Sequence, residues 1–231
     1  MPIAAISLMR RRDDVDLNAF RRHWLDVHGP LVCQFPGLRH YAQCHVVASP
    51  ATNAPAQAMR IDGFPILAFD SDADRMLAHN SAAMTACNED SKQFIGAVAR
   101  IITAQEDVVP ADEQAGRMRL IVLYPEGMNL AAFENLPAAK PLSETLSAAE
   151  TLRAIERSID QMRTLPRLRG LRRYRVLQQG RAPNSTIPHL QVNAAAMAQA
   201  WFDSLIDLEC AASGCVAPGV ALFAAEEHRL Q

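Results

Sequence analysis

Two segments decide how this chain is read: Pro36-Gly37-Leu38-Arg39-His40-Tyr41 and, at a constant offset of 133 residues, Arg169-Gly170-Leu171-Arg172-Arg173-Tyr174. Each follows a helical pattern and opens a strand-like run, so the chain reads as two halves sharing one plan. Upstream of the first segment, Ile3 to Met9 is a short strand. From Asp16, an N-cap residue, the apolar positions Leu17, Phe20, Trp24, Val27 and Leu31 recur at spacings of 3 and 4, one face of a helix that Gly29 and Pro30 should weaken or kink. Downstream come a strand from Leu38 to Val47, a Pro/Ala/Asn-rich loop over 49–57, and a third strand from Met59 to Phe69, in which Pro65 favours an edge or a bulge. Ser71 with Asp74 starts a second helical region running with interruptions to about Phe94, and Ala97 to Val109 is a fourth strand. The order is β-α-β-β-α-β, the split βαβ plan of a ferredoxin-like unit.

Beyond a polar linker over 110–116 the same order is expected again. It runs as strand Met118–Tyr124, helix 143–165, strand Leu171–Gln178, strand 187–192, helix 194–208 and strand 219–225. In the first of these helices Leu142, Leu146, Ala149, Leu152, Ile155, Ile159 and Met162 form one apolar face. A ferredoxin-like sheet carries helices on one face only, so the other must find cover. The expected fold is therefore α+β: two ferredoxin-like repeats, 1–110 and a diverged 117–231, pairing their antiparallel sheets into an intramolecular α/β barrel. Its lumen is the expected ligand site.

Composition narrows the function. The 231 residues are 49% hydrophobic and 21% charged, ordinary for a globular chain. Residues 1–115 hold 10 basic and 14 acidic side chains and the remainder 13 and 11, so neither half has the positive surplus that phosphate-backbone binding needs. Five cysteines without a CxxC pair speak for reduced thiols in a cytoplasmic protein, and no apolar run is long enough for a membrane span or placed as a signal peptide. The Arg167 to Arg175 cluster reads as a solvated edge. P-loop, GxGxxG and GxSxG signatures are absent.

Four of seven histidines fall between residues 20 and 45, so the first half should carry most of any chemistry. Period-2 geometry puts His40, Ala42, Cys44 and Val46 on one face of the second strand and Tyr41, Gln43 and His45 on the other. The former face is the more apolar and is assigned to the helix layer, which aims Tyr41, Gln43 and His45 into the lumen, His45 as acid or base. Trp24 reads as core. His28, just before the Gly29-Pro30 break, either caps the helix end or reaches the site. No metal is expected, because the histidine spacings splay the rings apart, and Cys87 lacks an evident base.

Phe20-Arg21-Arg22-His23-Trp24, His28-Gly29-Pro30-Leu31, Pro36-Gly37-Leu38-Arg39-His40-Tyr41 and Asp62-Gly63 before Phe69-Asp70-Ser71 resemble the EthD family of the dimeric α/β-barrel superfamily, over about residues 3–108. The resemblance implies the barrel fold and carries over His28, Tyr41 and, more weakly, Asp62. Relatives include proteins tied to ether degradation, methylmuconolactone methylisomerase and polyketide dehydratase-like enzymes. Where members often place an acidic residue in the third strand, this chain has Ile66, and the second half has no His-Gly-Pro segment.

Together these features lead to a cofactor-independent isomerase, lyase or dehydratase acting on a small cyclic or aromatic-derived catabolite. His28, Tyr41 and His45 would handle protons, and Gln43, Asp62 and Trp24 would contact the ligand. The competing readings are a non-catalytic binding module for an apolar small molecule and, third, a haem protein. A small molecule is the expected partner, nucleic acid and membrane are not, and homodimerisation is left open.

Overall fold

In the computed structural model, which describes residues 2–112, 114–126, 148–180, 186–214 and 220–231, eight antiparallel strands close into a barrel. The first half runs β1 (Ile3–Arg11), α1 (Leu17–His23), a π-helical turn (Trp24–His28), α2 (Gly29–Val32), β2 (Leu38–Val46), α3 (Ala54–Met59), β3 (Gly63–Phe69), α4 (Asp72–His79), α5 (Ala82–Ser91) and β4 (Ile95–Val109). The second runs β5 (Met118–Pro125), α6 (Ala148–Gln161), β6 (Gly170–Gly180), β7 (Ala194–Phe202), α7 (Leu205–Ala212) and β8 (Ala221–Arg229). Around the barrel the order is β1-β3-β2-β8-β5-β7-β6-β4, so each half contributes its strands in the same sequence and the halves meet at β2–β8 and β4–β6. Both expectations, an α+β chain and an intramolecular barrel, hold.

Local chemistry explains the helix starts. The Asp16 carboxylate accepts from the backbone N–H of Asn18 and Ala19, and Ser71, Ser81 and Ser204 each accept from the N–H three residues on. In two of these caps, Ser71 with Asp74 and Ser204 with Asp207, the serine hydroxyl also donates to the aspartate, at 2.6 and 2.8 Å.

Apolar side chains fill the middle of the barrel, among them Ile6, Leu8, Cys44, Phe64, Ile101, Ile121, Met197 and Phe223. Beside them lies a buried polar network. Arg119 clasps Glu227 with two donors at 2.8 and 3.0 Å, Gln199 donates to Glu227 at 3.0 Å, and Tyr174 donates to Gln199 at 2.8 Å. Toward one end the barrel opens into a depression of about 490 Å³ bordered by His40, Gln105, Arg172, Tyr174 and Trp201.

Several local expectations are corrected. Residues 49–57 are not all loop: Asn53 caps α3, whose first turn carries Pro55. Pro65 sits in an internal strand, where the β1–β3 pairing is interrupted between Ile66 and Gly63. The segment 187–192 makes only an isolated bridge, Val98 to His189, and 194–208 is not a helix: its first nine residues are β7. Alanine favours helix only weakly against tertiary context. Here Ala196, Ala198 and Ala200 face the second half's helices while Met197 fills the lumen, a strand alternation in small and large side chains. Leu142 and Leu146 lie outside the described residues. Of the rest of that face, Ile155, Ile159 and Met162 are buried and Leu152 is exposed.

Candidate functional site

The two faces of β2 are the reverse of the expected assignment. Cys44 is in the lumen cluster, whereas Tyr41, Gln43 and His45 point outward and are buried beneath the first half's helices. The more apolar face lines the barrel, with Cys44 packed among the apolar side chains of the lumen. The polar trio is covered by Trp24, whose indole stacks on the His45 ring at 4.3 Å.

A π turn makes this covering possible. Over Trp24–His28 the helix widens, so the Gly29 N–H bonds the Trp24 carbonyl, an i to i+5 pairing of a kind that recurs at functional sites. The same carbonyl accepts from the Gln43 amide at 2.8 Å. Gly29 is required by that proximity: a Cβ there would lie 2.7 Å from Leu230 and 3.0 Å from the Gln43 amide nitrogen. Gly63 leaves space for the Trp24 ring in the same way. The expected weakening at Gly29-Pro30 thus takes the form of a wide turn followed by α2, and it rotates His28 inward.

Hydrogen-bond accounting fixes the orientation of the β2 trio. Because Gln43 Nε2 donates to the Trp24 carbonyl, its Oε1 must be the atom 2.9 Å from His45 Nε2, so that ring nitrogen carries the proton. Gln43 Nε2 also donates to the Tyr41 hydroxyl at 2.9 Å, and Trp24 Nε1 does so at 3.2 Å. With two bonds accepted, the Tyr41 oxygen has its own proton left to give. Burial raises the Tyr41 pKa and keeps the phenol protonated. Burial first, then His228 and Arg21, pushes His45 down to about 3, which keeps the ring neutral.

His28 has a partner on each ring nitrogen. Nδ1 is 2.8 Å from Asp90 Oδ2, and Nε2 is 3.4 Å from Cys87 Sγ. Asp90 Oδ1 is 2.9 Å from His23 Nε2. Burial pushes the Asp90 carboxyl up, but the bonds from His28 and His23 outweigh it and hold the pKa below the ordinary value. A carboxylate only accepts, so Nδ1 bears a proton, and in the neutral imidazole Nε2 then presents a lone pair. Burial drives the Cys87 thiol up to about 12, leaving it a protonated donor. Cys87 does therefore have a base beside it, contrary to expectation. Asp90 was missed altogether, although Cys87 and Asp90 lie one turn apart on α5 and so share a helix face.

Between the outer face of the β1–β4 sheet and helices α2, α4 and α5 lies a cavity of about 90 Å³ onto which His28, Tyr41 and Cys87 open. Val32, Phe35, Leu67, Phe69 and Met84 form its apolar walls, and Ile187 from the second half closes one side. The cavity is outside the lumen. Of the expected site residues it gathers His28 and Tyr41. Trp24, Gln43 and His45 support them from below, and Asp62 is remote, ion-paired with Arg11 beside a different depression. Among the described residues no group of three or more His, Cys, Asp or Glu is placed to hold a metal ion, and no helix is long and apolar enough to cross a membrane.

Residues 12–97, from the end of β1 into β4, match the family model of the EthD domain. This segment is similar to the EthD domain. Among solved structures, an ethyl tert-butyl ether d (EthD) family protein from Bacillus halodurans matches at 23% identity over 44% of this chain and 96% of its own, with a TM-score of 0.38. Other structures match almost the whole chain. An anthrone oxidase-like protein does so at 8% identity, covering 99% of this chain and 93% of its own with a TM-score of 0.59. A candidate monooxygenase from Fusobacterium nucleatum does so at 7% identity, covering 98% and 92% with a TM-score of 0.53. At such identities these two share the fold. No curated protein sequence matches. The matched segment contains every polar residue of the cavity except Ser7 and Arg100.

Proposed function

We propose that the EthD-like segment catalyses cofactor-independent proton transfer on a small cyclic or aromatic-derived compound, as an isomerase, lyase or dehydratase. The observation that carries this reading is the bond between Asp90 and His28 Nδ1, together with the cavity that both His28 and Tyr41 line. His28 Nε2 takes a proton from a carbon next to a carbonyl, and the C–H electron pair moves into the carbonyl to form an enolate. Tyr41 donates a hydrogen bond to that oxygen. Return of the proton to another carbon completes an isomerisation, and its delivery to a departing hydroxyl completes a dehydration. Asp90 positions His28 and supports the imidazolium formed in the first step. Cys87, held as a thiol, occupies Nε2 until the substrate arrives.

The test is deuterium incorporation into a panel of cyclic ketones and lactones in D₂O, followed by mass spectrometry. Wild type should exchange, His28→Asn and Tyr41→Phe should not, and Cys87→Ala should exchange at least as fast because the lone pair is freed. Exchange that survives His28→Asn would refute the proposal. Binding without exchange by wild type would make the cavity a binding module. The oxidase-like and monooxygenase neighbours share only the fold, so oxygen uptake is measured in the same samples as a separate outcome.

A further inference from the structure

Part of the cavity wall is basic and carries an unpartnered ring nitrogen. Arg100 projects from β4 on the same outer face as Ser7, its partner across the β1–β4 ladder, and both line the cavity. Among the described residues its guanidinium meets no carboxylate and makes no hydrogen bond. The carboxylates nearby are committed: Asp90 to His28 and His23, and Asp72 to Arg75 at 2.7 Å. His79, at the end of α4, also lines the cavity, and its Nδ1 is buried without a partner. Arg75 lines it too, so three basic side chains from two elements converge on apolar walls with one acidic group, Asp72, among their partners. Arg100 and Arg75 both push the His79 pKa down, after burial, which places the three close together. Cys87, the other titratable group there, is held neutral by burial.

A partly buried arginine is ordinarily paired, since an uncompensated charge away from water is costly. An unpaired one bordering an apolar cavity is completed by an anion from outside, and the planar guanidinium fork fits a carboxylate in bidentate fashion. Size narrows the occupant further. At about 90 Å³ the cavity is smaller than the roughly 150 Å³ apolar space that admits benzene, so a single ring fits only with adjustment of a flexible wall residue such as Met84.

We propose that this cavity selects small organic acids no larger than one ring, with Arg100 and His79 holding the carboxylate and the apolar walls holding the carbon body. The proposal rests on the cavity being the substrate site. It specifies that the substrate enters as an anion, oriented with its acid group toward β4 and its reacting carbon toward His28 and Tyr41.

Benzoate and its neutral counterpart benzamide are the probes, titrated into the full chain by calorimetry and ligand-observed NMR. Benzoate should bind at least tenfold tighter than benzamide. Arg100→Gln should erase that preference, Arg100→Lys should keep part of it, and His79→Gln should reduce it. In the wild-type chain, benzoate should also protect Arg100 from phenylglyoxal modification while benzamide does not, a readout independent of whether the Arg100 variants fold. Equal affinity for the two probes, failure of both to bind, or absence of protection would overturn the proposal. Ala78→Phe, which fills the cavity, separates the two readings. If it blocks two probes that bind equally, the cavity stands and the anion site falls; if both bind it undiminished, both readings fall.

Discussion

Asp90 Oδ2 lies 2.8 Å from His28 Nδ1 across 62 residues of chain, and this single bond decides which imidazole nitrogen faces the cavity. Replacement by asparagine offers an amide that can present its N–H to Nδ1 and so reverse the tautomer. Asp90→Asn should slow exchange by about 10²–10⁴-fold, and ¹⁵N NMR of the imidazole should show the proton moved to Nε2. The same residue affects stability. Its pKa is lower folded than unfolded, so its contribution is complete above the unfolded value of about 3.9 and is lost as pH falls through the folded one. Asp90→Asn should remove that acid step below about pH 4, as followed by urea titrations at successive pH values.

His45 should produce a separate step at higher pH. Held near 3 when folded against about 6.5 when unfolded, it binds fewer protons in the native chain throughout that interval. Stability is then undiminished above about pH 6.5 and declines as pH drops, by up to about 1.4 kcal/mol per unit. His45→Gln keeps a donor for the Gln43 oxygen and has no proton to gain. The variant should flatten the stability curve between about pH 4 and 6.5 and leave the pH dependence of exchange unchanged. A shifted exchange profile would return His45 to the chemistry.

Short-range signals were legible in the sequence and long-range ones were not. Asp16 and Ser71 cap helices as their spacing implies, because a cap is a contact across three residues. The faces of β2 alternate as expected, but which face turns inward depends on the space left by the other half, and hydrophobicity alone pointed the wrong way. The misread β7 had a signal available. Phe69-Asp70-Ser71 recurs as Phe202-Asp203-Ser204 at the offset of 133 that relates Gly37 to Gly170, and both copies end a strand and cap the next helix. Tyr41 and Tyr174 share that offset yet face opposite sides of the barrel. A register shift between Leu38 and His40 turns Tyr41 outward, and no sequence pattern marks a bulge of that kind.

Gly63 offers a packing test of the platform beneath Tyr41. A methyl group there would overlap the six-membered ring of Trp24. Gly63→Ala should therefore cost about 1–3 kcal/mol in chemical denaturation. Pairing it with Trp24→Phe should recover part of that loss, a non-additive result confirming that the two side chains compete for one space. Because Trp24 carries the carbonyl and indole N–H that orient Gln43 and Tyr41, the single variant should also lower exchange activity.

Arg119 and Glu227 join β5 to β8 inside the barrel at 1% and 4% side-chain exposure. Glu227 also accepts from Gln199 and Arg229; burial pushes its pKa up, but Arg119 first and then Arg229 outweigh it and hold the pKa down. Glu227→Gln leaves the Arg119 charge buried without a counter-charge and should cost about 3–5 kcal/mol. Arg119→Met with Glu227→Leu removes both charges together and should be much less damaging, although Gln199 and Arg229 each lose an acceptor. Guanidinium denaturation of the three chains, compared at equal m-value, measures the difference. If the single and double variants were equally destabilised, the loss would come from packing around these side chains and not from an isolated charge in the lumen.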